Sequence, residues 1–150
     1  MAGSPTSGQD LRDLILASTT CCYNESALKP HTNLFIGDES LPLMSDADEQ
    51  LLLQLGFRDH VRLMALELGL PGTDECPKTI KIFANRTNMA FGDAEDEPPT
   101  FQLDVEAPTD ASRKIVIALP PIKFAKVDSI TLFVEDNHGN ELTKVHSLKV

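Results

Sequence analysis

The stretch from Asp48 to Leu70 constrains the fold most, because it has the densest apolar content in the chain and contains a break. Its two apolar runs, Gln50 to Phe57 and His60 to Leu70, are separated by only two residues, so they suit two adjacent strands or one broken helix. Gly56 would weaken a helix interior by about 1 kcal/mol relative to Ala. The second run is apolar on both alternating faces, as in a strand covered on both sides. These features favour strands.

The rest of the chain supports an all-β architecture. Short runs rich in β-branched or aromatic residues predict further strands at Lys78 to Ala84, Phe101 to Val105, Lys114 to Leu119, Ser129 to Glu135 and Thr143 to Val150. Asp136 to Asn140 has the composition of a hairpin turn. An α/β fold would require crossover helices between the strands, and the sequence predicts none there. We therefore predict an antiparallel β-sandwich of the jelly-roll type.

The N-terminal part is predicted to differ from this pattern. Residues 1–9 are small and polar and predict a disordered leader, which leaves residues 10–150 as one domain. Leu11, Leu14 and Ile15 recur at helical spacing with Asp10 as an N-cap, and this predicts a short helix of two or three turns.

In two segments the apolar residues do not recur at a regular spacing, and these segments are predicted as long ordered loops: Thr19 to Ser45 and Asn85 to Pro99. In the first, Leu34 to Ile36 are expected to anchor in the core. In the second, Met89 and Phe91 are spaced so that both can point inward.

Strand alternation also predicts which residues fill the space between the sheets. They are Leu51, Leu53, Leu55, Ile80, Ile82, Ile115, Ile117, Ile130, Leu132 and Val134. Asp48 and Glu49 precede the central strand, and we expect them to hydrogen-bond to loop backbone at a buried entry point. Replacing Asp48 with Ala should then affect folding more than binding.

Charge limits the classes of partner. Thirteen basic and 23 acidic side chains give a formal charge of −10, which repels nucleic acid and anionic membranes. The start has no basic segment followed by an apolar one, and no apolar run approaches the roughly 18 residues of a spanning helix. We therefore expect a soluble intracellular protein. Its three cysteines support this, because their number is odd and they form no CxxC pair, as expected of reduced thiols. The sequons at Asn24 and Asn85 are then turn residues.

The residues predict no catalytic or metal site, and we expect no cofactor. His31, His60, His138 and His146 lack the spacing of zinc ligands, and neither a GxSxG nor a phosphate-binding loop is present. Two acidic groups could bind calcium, but acidic surface loops explain them more simply. They comprise Asp46, Asp48 and Glu49, and then Asp93, Glu95, Asp96 and Glu97. The turn DNHGNE, from Asp136 to Glu141, lacks the rest of a calcium loop. The chain has no Trp and one Tyr, Tyr23, so it offers few aromatic platforms for a sugar.

The chain resembles a known family in a series of motifs that run in order from about Leu11 to Val150. They are Cys22-Tyr23-Asn24-Glu25-Ser26, Ser45 to Leu52 (SDADEQLL), Val61-Arg62-Leu63, Lys78 to Asn85 (KTIKIFAN), Met89-Ala90-Phe91 and Ser129 to Glu135 (SITLFVE). They resemble the PITH domain, which is the C-terminal half of a thioredoxin-like protein associated with the proteasome regulatory particle and also occurs alone. Ala47 stands where that family often has Cys, so the resemblance implies no thiol function there. Family members usually continue past the position of Val150 into a polar tail.

The resemblance implies a galactose-binding-like jelly-roll that is a non-enzymatic protein-interaction module of the cytoplasm and nucleus. The implied partner is a protein assembly such as the proteasome regulatory particle, and we expect a monomer. The alternative that the fold and the acidic loops leave open is a small-ligand or carbohydrate-binding module, with or without calcium. A thiol-dependent enzyme using Cys21 or Cys22 is a third hypothesis.

Overall fold

The computed structural model describes residues 10–36, 38, 40–109 and 111–150, so the predicted leader at residues 1–9 lies outside the described residues. The strands of this part are β1 (Cys21–Tyr23), β2 (Leu43–Met44), β3 (Leu51–Val61), β4 (Ala65–Leu70), β5 (Pro77–Ala84), β6 (Phe101–Asp104), β7 (Arg113–Ala118), β8 (Val127–Asn137), β9 (Lys144–Val145) and β10 (Ser147–Lys149). One α-helix, α1, spans Phe91–Asp96, and short 3₁₀ helices span Arg12–Leu14, Ala17–Thr19 and His31–Phe35. None of the helices described is long and apolar enough to cross a membrane.

Two antiparallel sheets face each other across the core. The larger has the strand order β1-β3-β8-β5-β6, the smaller has the order β10-β4-β7, and β2 and β9 form a separate pair. Alternate side chains of both sheets join one buried cluster, with Leu53 and Ile82 from the larger sheet and Leu66 and Leu148 from the smaller. The predicted all-β sandwich is confirmed. An apolar void of about 20 Å³ remains inside this cluster.

The central stretch forms strands, but the prediction of two adjacent ones was wrong. β3 continues through the polar residues to Val61, and β4 then lies in the facing sheet. Between Gly56 and Val61, β3 takes five steps while β8 takes two, from Ser129 to Val127. The polar residues therefore form a bulge inside one strand, and Arg62 to Met64 carry the chain across.

The predicted core is largely confirmed. Nine of its ten residues are buried, namely Leu51, Leu53, Leu55, Ile80, Ile82, Ile117, Ile130, Leu132 and Val134. The tenth, Ile115, is partly buried and packs against the same cluster. It lies on β7, which is an edge strand, so one side of it stays open to solvent.

The predicted N-terminal helix was wrong, because only single 3₁₀ turns form there. The Asp10 carboxylate accepts a hydrogen bond from the Arg12 backbone N at 2.9 Å, but the N-cap residue of this turn is Leu11 and no side chain caps it. The backbone N of Leu11 donates to the Val150 carbonyl, and that of Leu16 donates to the Gly56 carbonyl. These bonds, one to β3 and one to the residue that follows β10, hold the segment against the sheets and replace continued helical bonding.

Both predicted long loops contain regular structure. The first includes β1, β2 and the 3₁₀ helix His31–Phe35. Leu34 is the expected anchor and is buried, whereas Ile36 is 55% exposed. The second contains α1, which sequence reasoning missed because the helix has only six residues.

The C-terminal predictions need two corrections. The predicted strand from Thr143 to Val150 is divided into β9 and β10, which pair with different partners, β2 and β4. The chain does turn after β8, and Gly139 has φ +121°. The turn is not a hairpin, because the next strand, β9, pairs with β2 and not with β8.

Candidate functional site

Asn24 joins two of the sequence motifs at one end of the sandwich. Its side-chain Nδ2 donates to Asp48 Oδ1 at 2.8 Å and to the Gln50 carbonyl at 2.7 Å. Its Oδ1 accepts from the Ala47 backbone N at 3.1 Å, and its own carbonyl accepts from the Asp46 backbone N at 2.8 Å. Asn24 also has φ +69°, a left-handed conformation that Asn tolerates better than most residues. This side chain therefore fixes the entry to β3.

Asp48 has the expected role, but not the expected burial. Its Oδ1 accepts from the Gln50 backbone N at 3.0 Å, although Asp48 is exposed. For Glu49 the backbone makes the bond, because its carbonyl accepts from Thr143 Oγ1 at 2.6 Å. Thr143 also exchanges bonds with Ser45, whose hydroxyl accepts from the Thr143 backbone N at 2.8 Å. The motif residues thus tie β2, β3 and β9 together.

Asn85 has the corresponding role at the other end. With φ +58°, its Nδ2 donates to the Lys126 carbonyl at 3.1 Å and its Oδ1 accepts from the Asp128 backbone N at 2.9 Å. Its backbone N donates to the Ser129 carbonyl at 2.8 Å. The end of β5 is thereby locked to the start of β8. The interpretation of both sequon asparagines as turn residues fits these conformations.

The segment containing α1 covers the outer face of the larger sheet. A second buried cluster forms there from Leu52, Phe83, Met89, Ala94 and Phe133. Phe91 packs against it, with its ring centroid 6.1 Å from that of Phe133. The prediction that Met89 and Phe91 point inward is confirmed.

The thiols lie in environments that favour their protonated form. Burial, followed by the charge of Glu25, raises the pKa of the Cys22 thiol far above its usual range. Burial also raises the pKa of Cys76, although the neighbouring Arg113 opposes this shift. Because the thiolate is the nucleophilic form, neither environment activates its cysteine.

His31, His60 and His138 each contact a different part of the chain. His31 Nδ1 lies 2.7 Å from Glu25 Oε1, and His60 Nε2 lies 3.9 Å from Asp128 Oδ2. The backbone N of His138 donates to the Cys76 carbonyl at 3.2 Å. Within residues 10–36, 38, 40–109 and 111–150, no group of three or more His, Cys, Asp or Glu residues could hold a metal ion.

The second acidic group uses its carboxylates inside the fold. Asp93 Oδ2 accepts from the Ala90 backbone N at 3.0 Å and so caps α1. Glu97 forms a two-point ion pair with Arg86, and its hydrogen bonds to that guanidinium lower the pKa of its carboxyl. Pro98 follows Glu97 and ends the helix.

An open groove of about 210 Å³ lies along β10. The 3₁₀ residues Leu34 and Phe35 form part of its wall, and charged residues including Arg12, Glu67 and Lys149 surround it. Its charges are mixed in sign, so its lining selects no single class of ligand.

Comparison with known proteins decides the family. The sequence model of the PITH domain matches residues 2–150. The chain belongs to the PITH domain family. In this PITH chain the motif residues Asn24, Asp48 and Asn85 bond to backbone within the domain, so their geometry explains the motifs as parts of the scaffold.

Relatives occur both as PITH domain proteins and as a thioredoxin-like protein. A PITH domain-containing protein of Drosophila melanogaster is 31% identical over 133 residues, which cover 83% of this chain and 60% of that protein. Thioredoxin-like protein 1 of Schizosaccharomyces pombe is 31% identical, with 86% of this chain and 46% of that protein covered. PITH domain-containing protein 1 of Homo sapiens is 30% identical, with 72% and 50% covered. The chain thus spans about half the length of these relatives.

Solved structures with the same fold include carbohydrate-binding modules. The family 32 module of Clostridium perfringens NanJ, solved with galactose, has a TM-score of 0.64 and 11% identity, covering 91% of this chain and 97% of that one. The family 32 module of AlyQ, solved with 4,5-unsaturated mannuronic acid, has a TM-score of 0.66 and 8% identity, with 95% and 97% covered. These likenesses confirm the galactose-binding-like jelly-roll and concern the fold alone.

Proposed function

We propose that this PITH domain is a non-enzymatic, monomeric protein-interaction module that docks on a larger protein assembly in the cytoplasm and nucleus. The partner we propose is the proteasome regulatory particle. The observation that carries the proposal is the family match, which covers residues 2–150.

The way the chain uses its polar groups supports a scaffold role. Asn24 and Asn85 bond to backbone on neighbouring segments, while Asp93 and Glu97 hold the covering helix in place. Burial favours the protonated thiol of Cys22. These side chains rigidify the surface, and a rigid surface loses little conformational entropy when a partner binds.

A binding experiment with purified components tests the proposal. The chain is immobilised and incubated with purified proteasome regulatory particle, and a family 32 carbohydrate-binding module serves as the control because it shares the fold. We expect regulatory subunits on the PITH domain and not on the control. If the regulatory subunits are recovered equally on the PITH domain and on the control module, or on neither, the proposed partner is refuted.

The alternative of a thiol-dependent role at Cys21 or Cys22 has its own test. A Cys21→Ser, Cys22→Ser double variant removes the two adjacent thiols. We expect it to retain the same affinity for the regulatory particle as the original chain. Loss of binding in a variant that still folds would favour a thiol-dependent role instead.

A further inference from the structure

One end of the sandwich carries basic side chains on a chain that is acidic overall. We define the basic end as residues 57–64 and 119–128, which contain four of the chain's 13 basic side chains and two of its 23 acidic ones. Its formal charge is therefore +2, which leaves −12 for the rest of the chain. The basic side chains are all on exposed residues: Arg58, Arg62, Lys123 and Lys126.

The two segments of the basic end are joined by backbone hydrogen bonds. The Leu63 backbone N donates to the Phe124 carbonyl at 2.9 Å, and the Leu119 backbone N donates to the Met64 carbonyl at 3.0 Å. Arg62 immediately precedes Leu63, so it lies beside the β7–β8 connection that carries the two lysines. The two segments that carry the charges therefore lie side by side at this end of the sandwich.

These charges are not neutralised within the part of the chain that the structure describes. No carboxylate there lies within 4.0 Å of the four basic side chains. Lys123 Nζ donates to the Thr100 carbonyl at 3.4 Å, and Asp128 contacts His60. The positive charge of the basic end therefore remains available to a partner.

Apolar side chains lie in the same segments. Ile122 is 92% exposed and Met64 is 41% exposed. The loop that presents Ile122 is fixed, because Phe124 is fully buried and its backbone N donates to the Pro120 carbonyl at 3.2 Å. An exposed apolar side chain on a rigid loop offers contact area at a small loss of entropy on binding.

We propose that the basic end is the docking surface for an acidic, extended segment of a partner protein that also carries an apolar side chain. The inference rests on the proposed function and names the chemistry of the partner. Carboxylates of such a segment would pair with Arg58, Arg62 and Lys126, while its apolar side chain would cover Ile122. A nucleic acid fits less well, because its phosphates would extend onto the remaining surface of charge −12 and offer no apolar group to Ile122.

The probe for the test is a fluorescently labelled synthetic peptide of Asp and Glu residues with one central Leu. Its binding to the chain is followed by fluorescence anisotropy, beside a neutral peptide with Asn and Gln and an oligothymidine. The test variant is Arg58→Glu, Arg62→Glu, Lys126→Glu. Its matched control, Arg12→Glu, Lys78→Glu, Lys149→Glu, changes the net charge equally at exposed residues elsewhere. Ile122→Ser is compared with Leu28→Ser, since Leu28 is also highly exposed but lies in the β1–β2 connection.

We expect the acidic peptide to bind and its affinity to fall by about tenfold or more in the test variant, but by less than about twofold in the control. Ile122→Ser should weaken binding and Leu28→Ser should not. Absence of peptide binding, equal loss in both charge variants, or tighter binding of oligothymidine would overturn the proposal. If the regulatory particle still binds in that case, the docking surface is wrong while the proposed function stands.

Discussion

Replacing Asn24 with Ala tests whether this side chain holds the entry to β3. The change removes the side-chain hydrogen bonds to Asp48, Gln50 and Ala47, three of them at 3.1 Å or shorter and a fourth, to the Asp48 carbonyl, at 3.4 Å. In this partly exposed setting each contributes about 0.5–1 kcal/mol. Ala in the left-handed conformation at φ +69° adds about 1 kcal/mol. We therefore expect the free energy of unfolding to fall by about 3 kcal/mol.

Asn88→Ala is the matched control. Asn88 has nearly the same backbone conformation, φ +59°, but within the described residues its side chain makes no hydrogen bond. Its replacement should lower stability by only about 1 kcal/mol. Urea unfolding followed by circular dichroism measures both changes in the free energy of unfolding. Asn24→Gly isolates the contribution of the hydrogen bonds, because Gly adopts the left-handed backbone conformation without strain. Equal losses for Asn24→Ala and Asn88→Ala would refute the reasoning.

Four further predictions concern the core, the ion pair, the thiols and the alternative ligands. Ile82→Ala, at a fully buried position, should destabilise the domain by about 2–5 kcal/mol in urea unfolding, and a loss under about 1 kcal/mol would show that the core is misplaced. Because Arg86 lowers the pKa of the Glu97 carboxyl below 4.5, the stabilisation from this pair is present above pH 4.5 and is lost as the pH falls through the lowered value. The melting temperature of Glu97→Gln should thus lie below that of the original chain at neutral pH and approach it on acidification, whereas a constant difference would contradict this. Cys22 and Cys76 should resist alkylation in the folded protein and react in urea, as measured by mass spectrometry, and rapid labelling of either in the folded state would disprove it. Adding calcium or galactose should leave the melting temperature unchanged, and a rise would support the carbohydrate-binding alternative.

Strand alternation was a reliable guide wherever neighbouring strands bury one face. It located β5 and β8 and the core residues Ile82 and Leu132, which are buried in the structure. Helical spacing, in contrast, predicted an N-terminal helix that does not form, because three apolar residues at that spacing also suit 3₁₀ turns packed against strands. The Leu11 bond to the Val150 carbonyl spans almost the whole chain, so no local pattern contains it.

The polar clusters were harder to predict than the strands. The partners of Asn24 lie 23 to 26 residues away along the chain, so spacing within a motif cannot reveal them. The family motifs did indicate these positions, and a role in folding was expected for Asp48, but its bond to Asn24 was not. α1 was missed because its six residues include Gly92 and three acidic residues, too few and too polar to show a helical period.

In-cell crosslinking mass spectrometry with an amine-reactive reagent tests the central claim most directly, because it identifies the partner and the contact face together. We expect crosslinks from Lys123 or Lys126, at the basic end, to subunits of the proteasome regulatory particle. Reproducible crosslinks from this PITH domain to other proteins, with none to those subunits, would contradict the proposed partner.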